Sequence, residues 1–236
     1  MKTEKNLLSR GIEILRQADA DMEKLIAPRG EEIISLLTRY INEIELFNPV
    51  YGLVGTNDGD ELVIKHILDS LAPLGIVSRL LNEVCAGGTP QIADAGSGAG
   101  LPGIPLAAVL PQCDFTLIER MGRRAGFLCG TKAVLNLSNI TVEEGELEKT
   151  ARGRFSLVTF RALKPLEPKL LKTLFNACAP NGVIAAYKGK REKTEEELRP
   201  LKELCGQCEI VPYAVPFLDE ERHLLIIRAK RPSVIV

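Results

Sequence analysis

The stretch Ile92-Ala93-Asp94-Ala95-Gly96-Ser97-Gly98-Ala99-Gly100-Leu101-Pro102-Gly103-Ile104-Pro105 sets an acidic residue before alternating glycines and follows them with two prolines. Glycines let a backbone turn left-handed and pass close under a ligand, and a helix that follows offers N–H groups and a positive dipole end. Two cofactors fit such a turn. Gly98, Gly100 and Gly103 satisfy the G-x-G-x-x-G of a dinucleotide fold in form, whereas Asp94 followed by Gly96, Gly98 and Gly100 has the acidic-then-G-x-G-x-G form that suits S-adenosylmethionine. Pyrophosphate needs donors, and Pro102 and Pro105 remove two of them near the helix start. Asp94 would repel a phosphate, yet it can organise the glycine loop and sit near a cationic amino acid group. The balance favours S-adenosylmethionine over a nicotinamide dinucleotide. Both carry a ribose, so Glu119, at the end of the next strand, is the expected hydroxyl acceptor in either case.

These residues need an α/β framework. From residue 91 onward, β-rich runs at 91–95, 115–119, 140–142, 156–160 and 183–187 alternate with helical stretches at 104–110, 123–135 and 164–177. Such alternation predicts a mostly parallel sheet with crossover helices. Ala179-Pro180-Asn181-Gly182 reads as a turn into the fifth strand, and residues 209–217 and 223–230 as an antiparallel C-terminal hairpin. That hairpin replaces the continuation a six-stranded dinucleotide fold would have. It points to a class I methyltransferase sheet, Rossmann-like in plan. Upstream, residues 4–17 and 31–47 carry apolar side chains at helical spacing, among them Ile33, Ile34, Leu37, Tyr40, Ile41, Ile44 and Phe47. Asn48-Pro49 is expected to break that helix, and Asp60 to cap a short one through Leu71. Residues 1–88 are thus expected to form a helical extension packed on a core of residues 89–236.

A chain of 236 residues, 45% of them hydrophobic, can bury a substantial core. No run approaches the roughly 18 apolar residues of a membrane span, and the polar opening MKTEKNLLSR has no apolar segment behind it, so the expected place is the cytoplasm, away from membranes. The six cysteines read as reduced thiols: Cys205 and Cys208 make one C-x-x-C without a second pair, and no metal site is expected. The net charge of -1 excludes a generally basic nucleic-acid binder. Its distribution leaves room for a local basic face, because the first 60 residues hold 7 Lys and Arg against 11 Asp and Glu, which makes the remainder mildly basic.

From His66-Ile67-Leu68-Asp69-Ser70 through Gly98-Ala99-Gly100-Leu101-Pro102-Gly103-Ile104-Pro105, Phe160-Arg161-Ala162, Ala186-Tyr187-Lys188-Gly189 and Glu221-Arg222-His223-Leu224-Leu225-Ile226-Ile227, the chain resembles the small-subunit ribosomal RNA methyltransferase G family, also called glucose-inhibited division protein B. The resemblance covers nearly the whole chain. It implies transfer of a methyl group from S-adenosylmethionine to N7 of a guanine in 16S rRNA, with the cofactor against Gly96, Leu101, Leu147, Glu148 and Arg161. The chain departs from the family in having no Trp, and in reading Phe47-Asn48-Pro49-Val50-Tyr51-Gly52-Leu53-Val54 where the family usually has an Asn-Leu-Thr segment.

Guanine N7 carries no proton, so its methylation needs alignment and no base. Thr159-Phe160-Arg161-Ala162-Leu163 lacks the Asn-Pro-Pro-aromatic signature of exocyclic amine methylation and the Pro-Cys nucleophile of carbon-5 methylation. No catalytic residue is therefore expected; Arg161 is the positioning candidate, bonding cofactor or guanine edge, or else ion-paired to an acid among residues 143–148. Lys188, Lys190, Arg191 and Lys193 are read as phosphate contacts or as a solvated loop, and Arg120, Arg123 and Arg124 in the same two ways. His66 stacks on a base, bonds a phosphate, or links the N-terminal helices to the sheet. Arg222 contacts substrate or orients the hairpin. The expected partner is 16S rRNA or the small ribosomal subunit, met by a monomer. A small-molecule methyltransferase, or a non-catalytic RNA-binding protein of the same fold, are the competing readings.

Overall fold

The computed structural model describes residues 2–85, 87–149, 152–163 and 165–230, with side chains from residue 6 onward. One sheet contains β1 (Gln91–Ala95), β2 (Asp114–Glu119), β3 (Ile140–Glu144), β4 (Phe155–Arg161), β5 (Cys178–Lys188), β6 (Cys205–Tyr213) and β7 (Arg222–Ala229). Their order is β3-β2-β1-β4-β5-β7-β6. The first five pair in parallel, and β7 runs antiparallel to both β5 and β6. This is the expected mostly parallel sheet with an antiparallel C-terminal hairpin. The order reverses between β1 and β4, where the loops at the carboxyl ends of the strands diverge and leave a crevice.

Successive strand residues face opposite sides, and both sides are apolar. Ile92, Leu117, Leu157 and Ala185 join one core with the N-terminal helices α1 (Lys2–Ala18), α2 (Ala20–Ile26), α3 (Gly30–Tyr51) and α6 (Leu74–Val84), and with α7 (Gly103–Val109) and α8 (Gly122–Leu135). Ala93, Ile118, Val158 and Ile184 join the other with α9 (Pro168–Ala177) and α10 (Arg191–Leu198). Between α3 and α6, α4 (Gly59–Leu62) runs through a π-helical turn (Val63–Leu68) into α5 (Asp69–Leu71). Among the described residues no helix is long and apolar enough to cross a membrane.

Several local expectations are corrected. Asn48-Pro49 does not end α3: Pro49 sits in the last turn, and the helix stops at Gly52, whose φ of 57° and N–H to the Asn48 carbonyl form a left-handed cap. Asp58, not Asp60, caps α4, because Asp58 is extended and its carboxylate accepts the Glu61 N–H at 2.8 Å, whereas Asp60 is already helical. Residues 179–182 do not turn the chain; they bulge out of β5, where the pairing passes from Phe155 with Cys178 to Leu157 with Val183. The hairpin strand expected at 209–217 is shifted to β6, which pairs from Cys205 with Ala229 to Tyr213 with Arg222. The helix expected from 164 starts at Pro168, with proline in its first turn, and residue 164 lies outside the described residues. Part of the basic stretch after β5, from Arg191, is the first turn of α10.

Candidate functional site

Asp94, next to last in β1, is fully buried, and its Oδ2 accepts the Gly103 N–H at 3.0 Å, which satisfies the first amide of α7. The Ile104 N–H is bonded to the Gly100 carbonyl at 2.7 Å, and Pro105 has none to give. The start of α7 therefore offers no free donors to a pyrophosphate, as its prolines suggested. Gly96 and Ser97 donate to the Ile118 carbonyl, and Gly96 and Gly98 hold φ of 69° and 58° that side chains rarely adopt. Glu119, also buried, closes the turn: Oε2 accepts the Gly98 N–H at 2.9 Å and Oε1 the Met121 N–H at 2.8 Å. Each oxygen keeps a second lone pair for a hydroxyl. From the far side, the buried Tyr40 hydroxyl of α3 donates to the Ala99 carbonyl at 2.8 Å, bracing the loop.

Burial raises the Asp94 carboxyl to about 6 against the Gly103 hydrogen bond that favours ionisation, and its Oδ1 has no hydrogen-bond partner. The folded value lies above the unfolded one, so the folded chain holds this proton more tightly. Stability is unpenalised below about pH 4 and falls by roughly 3 kcal/mol as pH rises through 6. Asp94→Asn keeps an acceptor for Gly103 and removes the titration. Urea unfolding of the cofactor-free protein is expected to show that fall in the wild type and not in the variant; an equal fall in both would place its origin elsewhere.

Two cavities open at the carboxyl end of the sheet, the first beside this turn and the second past the end of β4. One, of 360 Å³, is lined by Gly96, Ile118, Arg120, Leu147, Glu148 and Leu163, among others. It brings together the expected cofactor residues Gly96, Leu147 and Glu148, the latter two on a 3-10 turn after β3. Gly100 and Leu101 are buried behind the turn instead, Gly100 packed against Ile104 and Leu128. The other cavity, of 560 Å³, is lined by His66, Asp69, Arg161, Ala162, Tyr187, Tyr213 and Arg222, with Lys65 and Lys188 at its walls.

Arg161 belongs to the larger cavity. It donates to the Lys65 carbonyl at 3.0 Å and to His66 Nδ1 at 2.8 Å, and pairs with Asp69 at 3.3 Å. The alternative of an ion pair with residues 143–148 is corrected: Glu143 pairs with Arg154 and Glu146 with Lys149. Asp69 also faces Arg222 Nε at 3.5 Å and accepts from the Tyr213 hydroxyl at 3.1 Å. Burial raises the Asp69 carboxyl and both arginines oppose the rise. Sequence reading missed Asp69, Tyr187 and Tyr213. Asp69 and Tyr187 lie in the segments that carry the family resemblance, Asp69 three residues after His66 on one helical face, whereas Tyr213 left no signal.

The other basic residues separate. Lys188 pairs with Glu197 at 2.6 Å, and Arg191 with Glu195 at 2.8 Å. Arg222 also pairs with Glu220 at 3.0 Å. Lys190 and Lys193 are exposed, with no ion pair among the described residues. Arg124 donates to the Gly52 carbonyl at 2.9 Å and Arg123 lies over the Tyr51 ring, both away from the two cavities. His223 Nδ1 bonds the Gly189 carbonyl at 2.7 Å and holds the hairpin to the β5 loop. No group of three His, Cys, Asp or Glu that could hold a metal ion occurs among the described residues.

A glycine turn at a topological switch point, an acid on the neighbouring strand and an antiparallel β7 define a class I S-adenosylmethionine-dependent methyltransferase. The fold is shared with a SAM-dependent methyltransferase from Aquifex aeolicus (TM-score 0.52, 15% identity, 72% of this chain and 93% of that one). It is shared equally with a tRNA methyltransferase from the same organism (TM-score 0.52, 13% identity, 69% and 68%). Residues 33–225 match the family described as rRNA small subunit methyltransferase G, and the chain belongs to that family. A ribosomal RNA small subunit methyltransferase G of Treponema denticola is 37% identical over 94% of this chain and 96% of its own length, and one of Cellvibrio japonicus 36% identical over 88% and 91%.

Proposed function

We propose that this chain transfers the methyl group of S-adenosylmethionine to N7 of a guanine in 16S ribosomal RNA. The observation that carries the reading is the juxtaposition of two cavities at the end of β4, with Ala162 lining one and Leu163 the other. The residues present suit the cofactor: Glu119 offers lone pairs to ribose hydroxyls, Gly96 and Gly98 give close backbone approach, Leu147 and Glu148 wall the smaller cavity, and the unpartnered Asp94 Oδ1 adds negative charge behind the turn. Bound there, it supplies an electrophilic methyl group on a sulfonium.

The rest is positioning. Guanine N7 presents a lone pair without a proton, so no side chain must act as a base. His66 is held down to about 4, chiefly by burial and then by the Arg161 charge, and is neutral at physiological pH. Arg161, fixed by three partners, orders the wall between the cavities. The reading places the protein in the cytoplasm, acting as a monomer on 16S rRNA or the small subunit. Mass mapping of 16S rRNA from cells with and without the gene tests it: N7-methylguanine should be lost at one position, and its persistence would overturn the assignment.

Phosphate contacts are assigned to Lys190 and Lys193, since the neighbouring cations already have carboxylate partners. Replacing both with alanine is expected to lower the salt slope of RNA binding by about 0.7 to 0.9 per lost contact and leave cofactor affinity unchanged. An unaltered slope would make them solvated residues.

A further inference from the structure

We propose that His66 is the residue that selects guanine, its Nε2–H donating to O6 of a single extruded base seated in the 560 Å³ cavity. This rests on the methyltransferase reading above and assigns the acceptor side of it.

The tautomer follows from the neighbours. Arg161 Nη2 lies 2.8 Å from His66 Nδ1, and a guanidinium can only donate, so Nδ1 accepts and the ring proton resides on Nε2. No partner for Nε2 exists among the described residues, and the half-buried ring is part of the cavity wall. The site thus holds one N–H donor of fixed identity. Guanine carries O6 and N7 side by side as acceptors on one edge, whereas adenine sets an amino donor where O6 would be. A fixed donor at that place accepts guanine and rejects adenine.

Charge argues for a base and against a phosphate. The cations that line this cavity are already matched: Arg161 by Asp69, Arg222 by Asp69 and Glu220, Lys65 by Glu61 and Glu220, and Lys188 by Glu197. An anion would have to displace carboxylates, while a neutral heterocycle meets no such competition. The tyrosine hydroxyls are committed as well, Tyr187 to the Ser70 carbonyl at 2.8 Å and Tyr213 to Asp69, so both present ring surface. Ala162, at φ 51°, lines this cavity, and the next residue, Leu163, lines the cavity on the glycine-turn side. A volume of 560 Å³ lies within the range of small-ligand sites.

The test uses 16S rRNA with the acceptor guanine either kept or replaced by 2,6-diaminopurine, which retains N7 and exchanges O6 for an amino group. Single-turnover rates for the wild type are expected to favour guanine by about a hundredfold or more. His66→Asn keeps an acceptor for Arg161 and removes the Nε2 donor; it should cut that preference at least tenfold, with S-adenosylhomocysteine affinity unchanged by calorimetry. His66→Gln, which returns an amide donor near the lost Nε2, should recover part of the preference. Full preference in His66→Asn, or no recovery in His66→Gln, overturns the proposal. A wild type that methylates neither RNA overturns the parent reading instead.

Discussion

Replacement of Glu119 by alanine is expected to weaken S-adenosylmethionine binding by about a hundredfold or more. Glu119 is buried and holds two backbone amides, Gly98 N–H at 2.9 Å and Met121 N–H at 2.8 Å. Hydrogen bonds to a charged partner contribute roughly 1.5 to 3 kcal/mol each, and losing both frees the glycine turn at the point where the ligand must pass. The ribose acceptor goes with them. Glu119→Gln retains one acceptor and should lie between the two in affinity. Calorimetry with S-adenosylmethionine and with NAD checks the result: unchanged affinity in Glu119→Ala would remove Glu119 from the cofactor site, and tighter binding of NAD by the wild type would overturn the choice of S-adenosylmethionine.

Arg161→Ala should lower the single-turnover methylation rate by about two orders of magnitude, the scale on which misplacement of about an ångström acts. The side chain holds Lys65, His66 and Asp69 in place at once, and its loss leaves the buried Asp69 with Arg222 and Tyr213 as remaining partners. Arg161→Lys keeps the charge and is expected to retain the fold while losing much of the rate. In the wild type the rate should stay flat between about pH 6 and 9, since N7 has no proton to lose and His66, at about 4, titrates below that window; the variants should keep that flat shape because no base is needed, with burial still holding the ring down. A rise of unit slope in the window, abolished by changing one carboxylate or His66, would show a general base and move the acceptor away from N7.

The glycine turn and its two acids were legible because they are local. Asp94, the glycines and Glu119 lie within two strands and the turns after them, where spacing fixes geometry, and the prolines reported correctly that α7 would offer no phosphate cradle. The second cavity was less legible because four distant segments build it. Asp69 from the π-helical turn region, Arg161 from β4, Tyr213 from β6 and Arg222 from β7 meet only through the sheet order, and a sequence shows neither that order nor which charges cancel. Misplaced boundaries share a cause. Pro49, the Pro180–Gly182 segment and Asp60 carry strong local signals, and packing overrode each: the helix ran on to a glycine cap, the strand absorbed a bulge, and the extended residue did the capping. The polar helix α10 gave no apolar stripe to find.

The place of β7 between β5 and β6 bears on how the molecule is made. A nascent chain emerges in sequence order, so β6 leaves the ribosome before the strand that is its sole neighbour in the sheet, and β5 meanwhile exposes an open edge. Until Arg222 arrives with β7, Asp69 lacks one of its two cationic partners and the larger cavity lacks a wall. The glycine turn and Glu119, by contrast, are synthesised more than a hundred residues earlier. Synthesis thus delivers the glycine turn and Glu119 first and closes the larger cavity among the last segments, so a chain stalled before β7 would carry the turn while the cavity around Arg161 stood open on one side.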